Sequence, residues 1–224
     1  MRLIDADTAQ PGLTIVAIEQ SGGKGQRGKV WQDSPGECLL MSIVTAPKYA
    51  IDHQFLFNVS ATVAIAEVLQ QMNEGWDVRI KWPNDIIVND KKAGGVLIEN
   101  VIRGSNWSYS IIGIGINVNQ RDMSTELPYA TSLRRESGRA FDINELLHLL
   151  RRRILENLHN GPDAGLLNLY NQYLFRKGQL QKFSDESGVW EAQVMAADTS
   201  GQLVVMERNG EKSFYTHGTV KWQW

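Results

Sequence analysis

The sequence predicts an α+β fold, with a mixed sheet flanked by helices over residues 1–176 and a small β-barrel over residues 177–224. Three observations carry this expectation. Apolar residues recur at three- and four-residue steps from Gln54 to Met72 and from Ile143 to Leu158, the period of helices with one buried face. Val78, Ile80 and Trp82 alternate with Arg79 and Lys81, the period of a half-buried strand. From Lys177 onward, short strand-like runs alternate with turns and the helical period is gone.

At 224 residues the chain is long enough for one good core, or a core with a small appendage. A hydrophobic share of 42% and a charged share of 21% describe an ordinary globular chain rather than a disordered one. The net charge of -2 argues against a broad nucleic-acid footprint. The single cysteine, Cys38, cannot form an internal disulfide and suits a reducing compartment. No basic-then-apolar leader and no uninterrupted spanning run is evident, so a cytoplasmic protein without membrane contact is expected.

Taken in order, Met1 to Ala9 reads as the end of a helix, broken by Pro11-Gly12, with a strand from Leu13 to Ile18. Gly22 to Trp31 interleaves glycines with Lys24, Arg27 and Lys29, so free backbone amides and cations combine into an anion-binding concavity. A flexible basic surface loop is the plain alternative, made weaker by Trp31 at the loop's end. Leu39 to Thr45 reads as a strand, and Gln54 to Met72 as a helix whose small residues pack closely on a sheet. After Trp82, Pro83 has no N–H for a ladder, and Asn84 and Asp85 read as turn residues that accept from nearby backbone donors. Ile86 to Val88 is a strand, Asn89-Asp90-Lys91 a tight turn, and Gly94 to Ile98 the return. Trp107 to Ile112 is a strand leading into Gly113-x-Gly115-x-Asn117. Asp142 with Glu145 resembles a capping box, Arg152 is placed to pair with Glu156 one turn on, and Asp163 to Leu174 is a further helix. The C-terminal strands are expected at 178–180, 189–196, 201–207, 212–216 and 220–222.

Four of these stretches, in this order, resemble the biotin–protein ligase family. They are the glycine-rich basic loop ending in Trp31, the Lys81-Trp82-Pro83-Asn84-Asp85 corner, Lys92-x-x-Gly95-x-Leu97-x-Glu99, and Gly113-x-Gly115-x-Asn117. The resemblance covers roughly residues 12 to 120, and is to the bacterial type without N-terminal DNA-binding helices. It implies a class II synthetase-like catalytic domain and an SH3-like C-terminal barrel. It also implies ATP-dependent activation of biotin to biotinyl-5′-AMP and transfer to a lysine of a biotin carboxyl carrier domain. Biotin and ATP are then the substrates, with Mg2+ accompanying ATP on unnamed ligands, and the protein a monomer or homodimer.

The resemblance also assigns roles. Lys81 neutralises the reacting carboxylate and α-phosphate. Lys24, Arg27 and the backbone at Gly23 and Gly25 close over the acyl-adenylate, and Gly95 lines it. Lys92 holds phosphate, Asn117 lies near adenine, Trp31 lies against an apolar part of the ligand, and Gln20 holds biotin's polar ring. The family's hydroxyl- and amide-rich segment for the ureido ring has no counterpart in residues 1–12, so the catalytic domain reads as short at its N-terminus. Two other readings stay open: a lipoate or octanoate transferase of related fold, for which Cys38 on its apolar strand is an unconvincing nucleophile, and a catalytically silent carrier-binding homologue. His53, His148, His159 and His217 are scattered, so no structural zinc is expected.

Overall fold

Tight hairpins decide the arrangement of the sheet in this computed structural model, which describes residues 10–28 and 30–224. The strands are β1 (Thr14–Ala17), β2 (Cys38–Thr45), β3 (Val78–Lys81), β4 (Asp85–Val88), β5 (Lys91–Arg103) and β6 (Asn106–Asn117), in the order β1-β2-β6-β5-β4-β3. Asn89 and Asp90 join β4 to β5 with φ of 49° and 65°, the left-handed pair of a two-residue hairpin turn. Asn and Asp tolerate that conformation better than other side-chain-bearing residues. Short connections force antiparallel neighbours. The ladders between the named strands are therefore antiparallel, and parallel pairing is confined to single bridges such as Ile80 with Leu174 and Lys92 with Ala130.

The α+β class is as expected, and so are the three longer helices, whereas the short helix Leu133–Ser137 lies between Asn119 and Asp142, where the sequence carries no helix signal. The first, α1 (Gln54–Met72), is buried continuously from Val59 to Ala66 because it lies between the sheet and two other helices. By length and composition the segment Ile51–Met72 would pass for a membrane span, but 61% of its apolar window is buried inside the protein. It is a core helix. The short α2 (Leu133–Ser137) comes next in the chain, and α3 (Ile143–His159) and α4 (Ala164–Tyr173) pack on α1. Asp142 accepts from the amides of Asn144 and Glu145, and Asp163 from that of Gly165, satisfying helix-end donors worth ~1 kcal/mol each. The expected Arg152–Glu156 pair is replaced. Arg153 reaches Glu156 at 3.8 Å and Glu67 at 2.9 Å, tying α3 to α1. Arg151 turns the other way, to Thr14 and the carbonyl of Gly12.

The C-terminal part is a five-stranded antiparallel sheet of β7 (Leu180–Asp185), β8 (Gly188–Ala197), β9 (Leu203–Glu207), β10 (Lys212–Tyr215) and β11 (Lys221–Trp222), in the order β10-β9-β8-β7-β11. The first strand runs five residues beyond its expected end at Leu180. Asp185 stops it by accepting from the amide of Ser187 at 2.8 Å, which sets the turn into β8. Stacked rings of Phe183, Trp190 and Tyr215 fill this sheet. Its buried residues join those of the first sheet in one apolar cluster. The expected helix end at residues 1–9 lies outside the described residues, as does Lys29.

Gly94 is where the helix-facing side of the first sheet is tightest. A Cβ there would sit 2.4 Å from Ile116 Cδ1 and 2.7 Å from the Gly115 carbonyl. Gly94→Ala is therefore expected to cost ~1–3 kcal/mol of stability by overpacking. Gly22→Ala, which meets nothing within 4 Å, should stay within ~0.5 kcal/mol of the parent. Urea unfolding midpoints compare the two, and equal midpoints would contradict the packing.

Candidate active site

Residues paired across an antiparallel sheet share a face. The register links Ala17 to Leu40, Leu40 to Gly115, Gly115 to Gly95, Gly95 to Asp85, and Asp85 to Lys81. One row thus crosses all six strands. The neighbouring row, with Leu39, Ile116, Gly94, Ile86 and Ile80, faces the helices, and its four apolar side chains are fully buried. On the opposite side, the facing pair Gly95 and Gly115 leaves a trench with a backbone floor. Lys81 and Asp85 stand at one end of it.

Lys92 joins them through a bulge. The pairing shifts between Ile86 and Ile87, leaving Ala93 as the extra residue of β5. A bulge re-aims the side chains around it, so Lys92 comes to the same side as Gly95 although they are three apart. Its Nζ lies 2.6 Å from Asp85 Oδ1. Two sequence expectations change here. Asp85 is a strand residue that binds Lys92 instead of capping a turn, and Asn84 donates its side-chain amide to the Val96 carbonyl instead of accepting. Lys92 is half of an ion pair, not a lone cation.

Lys81 is 7% exposed. Its Nζ lies 3.4 Å from the Trp222 carbonyl and 4.3 Å from the centroid of the Trp224 ring. Trp224 stacks on Tyr129 with centroids 5.0 Å apart and planes 8° apart. No local pattern around Lys81 reveals these partners, which lie far along the chain.

The glycine-rich loop closes as a small hairpin. Lys24 bridges Val30, and Trp31 donates its amide to the Gly23 carbonyl at 2.9 Å. Gly23 has no room for a side chain, since a Cβ would lie 2.7 Å from the Trp31 carbonyl and 2.8 Å from Gln20 Oε1. Gly25 follows the bridge and leads into the turn at Gln26–Gly28, where Arg27 has φ of 57°. The Arg27 guanidinium donates to the Gly218 carbonyl at 2.8 Å, whereas Lys24 is exposed. The Gln20 amide donates to Asp33 at 3.0 Å, fixing the loop's entry.

Trp31 brings the loop onto the trench. Its indole lies directly on Gly115, where a Cβ would be 2.8 Å from Cε2 and Cζ2. Its Nε1 is buried and has no hydrogen-bond partner among the described residues. Gly115 and Lys81 are three strand spacings apart, ~14 Å. No small anion spans that distance, but an elongated ligand does.

Asn117 sits at the same end of β6, but both ends of its amide are engaged. Nδ2 donates to the Thr131 carbonyl and Oδ1 accepts from Gln120, each at 3.0 Å. As placed, it pins the segment after β6 instead of offering its amide to a ring edge. Gln120, which carries no sequence signal, also donates to Cys38 Sγ at 2.8 Å. Burial, with the negative charges of Asp33 and Glu37 adding to it, pushes the Cys38 thiol up to about 11. Among the described residues, no three His, Cys, Asp or Glu side chains gather in a group able to hold a metal ion.

This site sits on a chain whose residues 2–117 match the Biotin/lipoate A/B protein ligase family. The chain belongs to that family. Relatives agree. The "Bifunctional ligase/repressor BirA" of Bacillus spizizenii is 30% identical over 94% of the chain, which spans 66% of that relative's length. The "Biotin--[acetyl-CoA-carboxylase] ligase" of Paracoccus denitrificans is 27% identical over 87% of the chain and 86% of its own length. Among solved structures, the "Biotin protein ligase from Aquifex aeolicus in complex with biotin and ATP" superposes with a TM-score of 0.80 at 26% identity. That match covers 96% of this chain and 90% of the other.

Within this ligase family member, Cys38 is expected to be inert. A thiol at about 11 is a thousandth thiolate near pH 8, and burial slows it further. Iodoacetamide at that pH should label the native protein at least ~100-fold more slowly than the urea-unfolded chain. Comparable rates would contradict the burial.

Proposed function

We propose that this chain is a biotin–protein ligase, which activates biotin with ATP and transfers it to a lysine of a biotin carboxyl carrier domain. The observation that carries the reading is the trench. It is an elongated backbone-floored groove with cationic side chains at one end and a glycine-rich cationic loop at the other, in a family that includes ligases named for biotin. Biotinyl-5′-AMP is an elongated anionic molecule of suitable length for it.

In the first half-reaction the biotin carboxylate attacks the α-phosphorus of ATP. The new bond is a mixed anhydride, and the bond to the β,γ-diphosphate breaks, releasing pyrophosphate. Lys81 is assigned to the reacting carboxylate and the α-phosphate oxygens, where charge builds up. Lys92, held by Asp85, is assigned to phosphate. Lys24, Arg27 and the amides around Gly23 and Gly25 close over the adenylate, with Trp31 and Gly95 bounding it. Gln20 is assigned to biotin's ring, and Asn117 to holding the backbone at the adenine end through its bonds to Thr131 and Gln120. In the second half-reaction the carrier's lysine amine attacks the acyl carbon and AMP leaves.

Mg2+ would arrive on the phosphates of ATP, in keeping with its preference for few protein ligands beside substrate oxygens. The same reading makes residues 1–176 the catalytic domain and 177–224 an SH3-like unit packed on it, in a cytoplasmic protein that is a monomer or homodimer and binds no nucleic acid. A transferase using Cys38 as nucleophile is disfavoured by the buried, raised thiol. A silent carrier-binding homologue remains the contrast to test.

One preorganised charge at a transition state is worth ~3–4 kcal/mol, or about a hundred- to a thousandfold in rate. Lys81→Ala is expected to lower biotin-dependent pyrophosphate exchange by that factor while weakening, not abolishing, biotin binding. Near-parent exchange in the variant would remove Lys81 from the chemistry. No exchange in the parent would favour the silent homologue.

A further inference from the structure

Resting on the assignment of Lys81, we propose that Trp224 is a gate over the reacting end of the trench, and that it must swing aside for the substrate carboxylate and phosphate to reach the lysine. The argument starts from burial. Lys81 is 7% exposed, so an anion reaches its ammonium only if part of the cover moves. Two tryptophans in that cover are held very differently.

Trp222 is fixed. It pairs with Phe183 in the β11–β7 ladder, is 8% exposed, and packs against the rings of Phe175 and Phe183. The Gln223 amide continues the pairing to the Lys182 carbonyl at 2.9 Å. Trp224 lies outside this pairing and is 43% exposed. It rests on Tyr129, itself 47% exposed, and on the edge of Phe175. Moving its ring breaks ring contacts but no strand pairing.

What favours closure is a cation–π contact of 4.3 Å. What favours opening is a stronger partner, because a carboxylate or phosphate makes a charge-assisted bond to an ammonium that a ring face cannot match. The substrate anions therefore compete with the ring for one ammonium. The C-terminal sheet also meets the glycine-rich loop, where the Gly218 carbonyl, between β10 and β11, accepts from Arg27.

Two variants and two readouts test the gate on the full chain. Acetylation of Lys81 by acetic anhydride, mapped by mass spectrometry and normalised to Lys182, reads access to the ammonium without any ligand. Trp224→Ala should speed Lys81 labelling about fivefold, the size of one partly exposed cation–π contact, and Trp224→Phe should stay near the parent. Calorimetry with Mg·ATP and biotin should show correspondingly tighter binding in Trp224→Ala, with a thermal midpoint lowered by only about 2–4 °C, the size of the contact removed. Unchanged labelling in Trp224→Ala, or ligand binding weakened by it, would overturn the gate. Failure of the parent to exchange pyrophosphate would instead sink the ligase reading, and the labelling would still decide the gate.

Discussion

Two glycines facing each other across β5 and β6 are the constraint on which the rest of the site depends. Gly95 and Gly115 are register partners, and any side chain at either would stand in the middle of the sheet's open face. Together with Gly113, two residues before Gly115 on the same strand face, they leave a floor of backbone on that side of the sheet. The indole of Trp31 lies flat on one of them because nothing projects there. Gly95 leaves the approach to Asp85 and Lys92 clear, up to the covered Lys81. The helix side of the same strands cannot serve this purpose, because its residues are closed into the core.

The charges around the trench are restrained before any substrate arrives. Lys92 is paired with Asp85, Arg27 with a carbonyl, and Lys81 with a carbonyl and a ring. Cations left loose on long side chains would have to lose rotamer freedom when they bind. Held in place, they have already lost it, which is what electrostatic preorganisation requires. The restraint has a cost at Lys81, where the holding groups also block the approach.

Much of this was legible in the sequence. The boundaries of the helix Gln54–Met72, the Asn89-Asp90 turn and the cap at Asp142 follow from local chemistry acting over a few residues. The four family motifs located the loop, the corner, the return strand and the glycine pair. What stayed hidden depends on contacts between distant residues. Asp85 reads as a turn residue beside Pro83 until the bulge at Ala93 swings Lys92 onto it. Asn117 reads as a ligand contact until Gln120 and Thr131 are seen to occupy its amide. Trp224 and Tyr129 are ordinary aromatics in sequence, and only folding brings them to Lys81 and to each other.

The central claim is that an elongated ligand lies on the glycine floor, and Gly95→Ala tests it most directly. The added Cβ would sit 3.4 Å from Asp85 Oδ1 and 3.8 Å from the Asn84 carbonyl and Lys92 Cε, ordinary contacts for a folded protein. Its methyl would nevertheless occupy the bed. The account predicts an unfolding midpoint close to the parent's and biotin-dependent pyrophosphate exchange reduced by ~100-fold, the penalty for displacing a reactant by about an ångström. Parent-like exchange and parent-like Michaelis constants for ATP and biotin in that variant would contradict it.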